Sequence, residues 1–431
     1  MREMKDSGVE WIGKIPGNWN IERIKFLCTI HDNMRQPVTA DKRSLSGAIL
    51  YDYYGASGVI DKIDGYTIDD DVILVGEDGS VIKEDGTPFV NELHGKAWIN
   101  NHAHILKPKK SMDFKYAFYM IKSNNIHNLV TGMAQPKLTQ ENLKQLIFCV
   151  PFSLHEQQTI VSYLDRKCSA IDTAISHIQK QIENLEEYKK SVITQAVTKG
   201  LDPNVKMKDS GVEWIGEIPE GWKVGKMKNI ADTSHPYAIG DGDHGLIKNT
   251  DYKDSGIPYI RVLNLTWGYG LNKGNLVYIS EEKNALIKNS ELHPNDVLVA
   301  KTGAPIGKTA IIPDDMPRAN TTAHVGKVTI SPKHSPKFYY YVLQSDPLQR
   351  QIALKSSLQA TRPELGNEGL ANLIIPVASL KVEQVIAQYL DEKCASINEA
   401  IAKQRSLIDK MNEYKQSVIY NAVTGKINCT T

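Results

Sequence analysis

Gly303-Ala-Pro-Ile-Gly307-Lys308-Thr309 comes nearest in this chain to a nucleotide-binding motif. A phosphate loop places four residues between its glycines, ahead of Lys and Ser/Thr, and here one is missing. The shortened loop cannot wrap its amides around a phosphate, so the segment is expected to be a β-hairpin turn. No Gly-rich dinucleotide fingerprint follows a strand. The chain contains no Asn-Pro-Pro-aromatic or Asp-Pro-Pro-Tyr tetrapeptide, the grip of an amino-methyltransferase on a flipped base. Its histidines are scattered, without HExxH or other metal spacing, so no metal site is expected. His104 and His324 recur in corresponding places, Asn100…Ala103-His104 against Asn320…Ala323-His324. Neither has an acidic or nucleophilic neighbour in sequence. A structural hydrogen bond, or one facing nucleic acid, suits them better than general-base work. Pro313-Asp-Asp315 lacks the following Glu-x-Lys of a nuclease centre. No catalytic residue is assigned, and no cofactor of the chain's own is expected.

The bulk composition is that of an ordinary globular protein, with nothing to suggest disorder, collagen or a disulfide scaffold. The chain has 431 residues, 41% apolar and 23% charged, enough for two to four domains with proper cores. Its five cysteines include no CxxC pair, and Cys168 and Cys394 sit at apolar helix positions, so they read as core thiols. No apolar run approaches a bilayer span and no leader precedes Met4, which predicts a cytoplasmic protein without membrane contact. Lys+Arg number 51 against 50 Asp+Glu. That balance argues against a nonspecific nucleic-acid coat, whose affinity comes from net positive charge. A specific binder with basic residues gathered on one face stays open.

The elements that would position any functional residue are written twice. Met4 to Gly13 reads MKDSGVEWIG, and Met207 to Gly216 repeats it at every position. Ile15-Pro16 and Trp19 are matched by Ile218-Pro219 and Trp222. Each half also closes on an echo: Tyr163-Leu-Asp-Arg-Lys-Cys168 and Tyr389-Leu-Asp-Glu-Lys-Cys394. Repeats of this length are whole domains, too long for solenoid units. The frame repeats while the middles differ, as expected of two versions of one device.

The closing segments carry apolar residues in alternating steps of four and three, a heptad seam. The first seam runs through Leu164, Cys168, Ile171, Ile175, Ile178, Ile182, Leu185, Tyr188, Val192 and Ala196. The second runs through Leu390, Cys394, Ile397, Ile401, Gln404, Ile408, Met411, Tyr414, Val418 and Ala422. Each helix is expected to hold about 40 residues and to span roughly 60 Å. Gly200 and Gly425 stand where the helices should stop. Two seams in one chain predict an antiparallel intramolecular pair, with Gln404 a polar position suited to fixing register. The middles, 20–150 and 223–378, carry short β-like runs such as Asp71-Val-Ile-Leu-Val75 and Asp296-Val-Leu-Val-Ala300, broken by turn residues. The expected fold is therefore α+β, with two pseudo-symmetric domains separated by two long antiparallel coiled-coil helices. Domain boundaries are placed at 1–152, 153–200, 201–378 and 379–427.

With the frame exposed, the chain resembles the specificity subunits of type I restriction–modification systems. The resemblance rests on the paired DSGVEWIGxIP openings and on the paired EQ…YLDxKC helices, with Glu156-Gln157 and Glu383-Gln384. Gly132-Met-Ala-Gln135-Pro-Lys-Leu138 fits as well, and Leu358-Gln-Ala-Thr361 more loosely. It covers the whole chain. It implies that each half supplies a target-recognition domain reading one part of a bipartite double-stranded DNA target. It implies that the helices hold the readers apart and dock two modification (methyltransferase) subunits. S-adenosylmethionine, ATP and Mg would then belong to those modification subunits and to separate restriction subunits.

Base readout needs polar side chains at base edges and Lys or Arg on phosphates. The candidates chosen on that basis are Tyr53, Tyr54, Ser57, Gln135 and Lys137 in the first domain. In the second they are Arg261, Lys301, Thr302, Lys308, Gln359, Thr361 and Arg362. Four residues inserted near Lys199, between the first helix and the second half, are expected to alter the DNA spacer. Two other readings compete: a single-chain DNA-modifying enzyme, and a coiled-coil protein adaptor without DNA binding.

Overall fold

The computed structural model describes residues 2–40, 43, 49–132, 135–267, 270–303, 306–357 and 363–429. It divides into two compact units, one of Met1–Ile178 with Ser406–Thr431, the other of Gln179–Arg405.

The repeated opening folds identically in both. Met4–Asp6 pairs antiparallel with Lys14–Pro16, and Met207–Asp209 with Glu217–Pro219, in one register. The turn chemistry accounts for the sequence identity. Asp6 Oδ1 accepts from the Gly8 amide at 2.9 Å, and Asp209 Oδ1 from Gly211 at 2.9 Å. Gly8, Gly13, Gly211 and Gly216 have φ of +72, +72, +71 and +68°, a region that a Cβ penalises. Ile12 and Ile215 are buried beneath the turns.

Each unit is built on a four-stranded antiparallel sheet. In the first, β1 (Cys28–Ile30), β2 (Val72–Gly76), β3 (Val90–Leu93) and β4 (Ala103–Pro108) lie in the order β1-β4-β2-β3. In the second, β5 (Ile239–Asp241), β6 (Val297–Ala300), β7 (Thr309–Ile311) and β8 (Val325–Val328) lie in the order β5-β8-β6-β7. The order is the same in both. Strands β2 and β6 are apolar at every position because both their faces are covered. Ile73 and Val75 face a helical core containing Tyr116 and Phe148, while Val72 and Leu74 face Ile68, Ala97 and Ile99 of a second sheet. Val297 and Val299 face a helical core, and Leu298 and Ala300 face another core with Ile260 and Leu292. The segment resembling a phosphate loop joins β6 to β7 as the expected hairpin. Ala300 N donates to Lys308 O at 2.7 Å and Gly307 N to Ala300 O at 2.9 Å.

Helix α1 (Phe114–Lys122) packs in the first unit, and α2 (Gln140–Leu143) precedes the long helix α3 (Leu154–Lys199). Their counterparts are α4 (Pro336–Gln344), α5 (Asn367–Ala371) and α6 (Leu380–Val423). The YLDxKC echo now has a cause. Asp165 accepts from the Tyr119 hydroxyl at 2.6 Å with Lys115 at 3.5 Å, and Asp391 accepts from Tyr341 at 2.8 Å with Lys337 at 2.7 Å. Cys168 and Cys394 lie buried in the cores, and burial pushes the Cys394 thiol up to about 11. The EQ pairs correspond with a shift of one residue. Gln157 Oε1 accepts from the Asp113 amide at the start of α1, and Glu383 Oε2 from the Ser335 amide at the start of α4, each at 2.8 Å. The matched positions are therefore Gln157 and Glu383, not Gln157 and Gln384.

The long helices have 46 and 44 residues and pair antiparallel in each unit. In the first unit Lys415 reaches Asp172 at 2.6 Å. In the second, Lys189 donates to Asn398 at 3.0 Å, Arg405 to Glu186 at 3.1 Å, and Gln404 to Gln181 at 3.2 Å. Leu164, Cys168, Ile171, Ile175, Ile178, Ile182, Leu390, Cys394, Ile397 and Ile401 are buried on the seam. The seam is looser than the heptad pattern predicts. Ile408 and Met411 are half-buried, and Tyr188 and Tyr414 are 49% and 57% exposed. Each unit also takes in the end of the other helix. Val418, Ile419, Ala422 and Val423 of α6 join the first unit's core, and Ile193, Ala196 and Val197 of α3 join the second's.

Ile175 is 8% exposed in this seam. Ile175→Asp strands a carboxylate among apolar side chains and is expected to cost about 4 kcal/mol of unfolding free energy. Urea denaturation followed by circular dichroism checks this, and an unshifted midpoint would show that the seam is not a packed interface.

Candidate nucleic-acid interface

The polar residues of the first unit converge where β2 ends and β4 begins. Gly76, the last residue of β2, has the carbonyls of Ser80 and Ala56 at 2.9 and 3.0 Å from where a Cβ would stand. Glycine thus lets the Gly55–Gly58 hairpin tip, which carries Ser57, come against the sheet end. Glu77 and Asp78 follow. Asp78 hydrogen-bonds exposed His102, and Lys137 reaches Glu77 at 3.2 Å. The amide of Leu138 donates to Glu77 O at 2.7 Å and that of Gly79 to Pro136 O at 3.1 Å. The segment bearing Gln135 and Lys137 is therefore clamped to the sheet end by backbone bonds.

Behind this surface lies a buried polar network. Asp32 accepts from His104 Nδ1 at 2.7 Å, Gln140 Nε2 at 3.0 Å and the Ile105 amide at 3.0 Å. His104, fully buried, also donates from Nε2 to Leu138 O at 2.8 Å. With acceptors on both ring nitrogens, the geometry calls for a proton on each. Burial raises the Asp32 pKa, but the bond and charge of His104, with the Ile105 amide and Gln140, outweigh it and leave the carboxyl below its ordinary range. Arg35 pairs with Glu77 and lies 3.6 Å from Asp32. Asp32, Glu77 and His104 offer donor atoms within 4.8 Å of one another. The charges of Arg35, Lys137 and His104 already face these carboxylates, an arrangement of internal ion pairs that opposes a bound cation.

The second unit repeats the plan with other side chains. Thr302, the counterpart of Asp78, hydrogen-bonds exposed His324. The Leu365 amide donates to Lys301 O at 2.9 Å, as Leu138 does to Glu77. Lys301 pairs with Asp241 and donates to Asn367 Oδ1 at 2.8 Å. Burial raises the Asp241 pKa, and hydrogen bonds with Lys301 and Asn367 override it downward. Beside His324 opens a pocket of ≈ 390 Å³ whose lining includes Tyr252, Tyr259, Arg261 and Thr322. The Arg261 guanidinium lies 5.2 Å from the Tyr252 ring centroid and donates to Asn275 O at 2.7 Å.

Sheet register corrects the pairing of the histidines. Ala103 lies opposite Gly76, and Val325 opposite Ala300, so His102 corresponds to His324 and His104 to Gly326. The shared Ala-His dipeptide aligned them two residues out of step.

The sequence-selected residues divide sharply. Ser57, Gln135 and Lys137 are exposed and lie near one sheet end. Tyr54, Arg261 and Lys308 are half-buried. Tyr53 is 1% exposed, its hydroxyl bonded to the Val38 backbone and its ring under Arg43 at 4.3 Å. Lys301 is 1% exposed and Thr302 5%. Gln359, Thr361 and Arg362 lie outside the described residues. Sequence reasoning missed His102, Asp32 and Asp241, whose roles come from pairing across strands.

Comparison with known proteins agrees with this geometry. The family model for the type I restriction modification DNA specificity domain matches twice, at residues 16–184 and 219–406. The chain is similar to the type I restriction enzyme MjaVIII specificity subunit of Methanocaldococcus jannaschii, 25% identical over 96% of this chain and 94% of that one. It is also similar to the EcoBI specificity subunit of Escherichia coli, 22% identical over 84% and 75%. Among solved structures, it superposes with TM-score 0.63 on a chain from a study of assembly and conformational transition of the type I R-M system. That match has 12% identity over 96% of this chain and 99% of the other, and bears on fold alone.

Proposed function

The chain belongs to the type I restriction–modification DNA specificity family, with two target-recognition domains, and on that premise we propose that it is the non-catalytic reader of a bipartite DNA target. The observation that carries this is the repetition of one scaffold with unlike residues at its exposed end. Around a histidine common to both, His102 and His324, Asp78 and Lys137 stand in the first unit where Thr302 and Glu364 stand in the second. Two readers of one build and different chemistry suit two different half-sites.

In this reading Lys137, Gln135 and Ser57 meet DNA in the first domain. Arg261 and His324 do so in the second, with phosphate contacts setting orientation and base contacts setting sequence. The paired helices set half-site spacing and dock two modification subunits, and restriction subunits join that assembly. S-adenosylmethionine, ATP and Mg are used by those partners. The work is cytoplasmic, where the DNA is. No helix among the described residues is long and apolar enough to cross a membrane.

The purified chain is expected to transfer no methyl group to DNA, while the chain with modification subunits shifts a target duplex in a gel. Methyl incorporation by the chain alone, abolished by a change in it, would assign the chemistry here. A shift that never appears with the partners present would favour a protein adaptor.

A further inference from the structure

Asp32 and Asp241 occupy one position of the shared scaffold. Ile30 pairs with Leu106 on β4, and Ile239 with Val328 on β8, so each aspartate stands two residues past an equivalent pair. Each carboxylate is mostly buried and engages the first residue of the short helix that follows the clamped segment. In the first domain Gln140 donates to Asp32 at 3.0 Å. In the second Asn367 accepts from Lys301 at 2.8 Å, and Lys301 pairs with Asp241, whose carboxyl Asn367 helps to hold below its ordinary range. The cation that faces the carboxylate, however, comes from a different strand in each domain. In the first the nearest is His104 of β4, at 2.7 Å, with Arg35 at 3.6 Å beyond it, and the residue after β2 is acidic Glu77. In the second it is Lys301, the residue after β6, and the position of His104 is held by Gly326. A Cβ on Gly326 would stand 2.9 Å from Lys301 Cδ and from Leu370 Cδ2, so the lysine stem runs where a side chain from β8 would otherwise begin. Charge and volume have been exchanged together: His104 with Glu77 in one domain, Gly326 with Lys301 in the other.

We propose that Asp32 and Asp241 are equivalent positioning residues for DNA readout, each latching the chain that enters α2 or α5 to the sheet end, with the partner cation moved from one strand to its neighbour. The latch touches no DNA. It fixes 137–140 and 364–367 relative to Asp78–His102 and Thr302–His324, the polar pairs at each sheet end. A buried carboxylate losing its charge leaves the opposing cation unpaired, which dislodges the segment it holds. This rests on the two-reader function proposed above.

The test uses the chain assembled with its modification subunits and a target duplex mapped by methylation-sensitive sequencing. Competitor duplexes have one half-site or the other scrambled. Asp241→Asn is expected to lower discrimination at the second domain's half-site by at least about tenfold, the scale of a lost base-pair preference, and to leave the first within about twofold. Asp32→Asn should do the reverse. Lys301→Glu and Gly326→His should each fail singly. Together they rebuild the first domain's arrangement and should recover part of the loss. Should Asp241→Asn not assemble, Asn367→Ala, which leaves the ion pair intact, decides the matter by a smaller loss confined to the same half-site. Discrimination unchanged at both half-sites in the assembled variant overturns the latch. A wild-type complex indifferent to both half-sites overturns the two-reader function instead.

Discussion

Exchanging residues 20–150 for the matching region of a relative is expected to replace one half of the methylated target and leave the other half and the spacing untouched. The cut points make this a clean exchange. Asn20–Arg23 pairs antiparallel with Ile147–Val150, Asn20 lying opposite Val150. The module thus enters and leaves the fold side by side. The second domain closes the same way, Lys223 opposite Val377. The residues that differ between the halves at the sheet ends lie inside those ladders: Ser57, Asp78 and Lys137 in one, Arg261, Thr302 and Glu364 in the other. The opening hairpins and the long helices lie outside them. Methylation-sensitive long-read sequencing of cells carrying the hybrid gives the result directly. A hybrid in which both half-sites changed together would show that recognition is shared between the domains, and the modular model would fall.

What could be read from sequence was what local chemistry dictates. The DSGVEWIG hairpins are forced by an Asx turn, two positive-φ glycines and a buried Ile, all within ten residues, so identity of sequence meant identity of structure. The long helices announced themselves by period, and Gly200 and Gly425, with φ of +76 and +69°, end them as expected. The candidate interface was less legible because it is made by pairing between distant segments. Tyr53 and Lys301 were chosen as polar residues beside turns, and sequence does not say which side of a short strand faces the core. Tyr53 faces inward to the Val38 backbone, and Lys301 inward to Asp241. Asp32 gave little local sign beyond Arg35 three residues on, since its hydrogen-bond partners His104 and Gln140 stand 72 and 108 residues away. The helix pattern overreached at Tyr188 and Tyr414. A phenol can keep its ring on the seam and its hydroxyl in water, so a heptad position does not guarantee burial.

A heptad inserted into both long helices, after Ile178 in α3 and after Arg405 in α6, is expected to lengthen the spacer between half-sites by about three base pairs. Seven residues add two turns, or about 10 Å at ~1.5 Å per residue, against ~3.4 Å per base pair of B-DNA. Seven also preserves the phase of the seam, so Ile175 and Ile182 keep their facing positions. The site follows from the way the chain divides. Ile193, Ala196 and Val197 of α3 belong to the core of the second unit, and Gly200 lies against Trp222 of that same unit. Lys199 is therefore inside the second unit, and Leu201–Asn204 beyond it is exposed chain. Four residues added there, which the helix-then-domain picture expects to move one reader, extend a surface loop instead and should leave the spacer unchanged. The two insertions make opposite forecasts in one assay, the spacing of the methylated motif. A longer spacer from the loop insertion, or an unchanged one from the paired heptads, would mean that the helix pair does not set the distance between the readers.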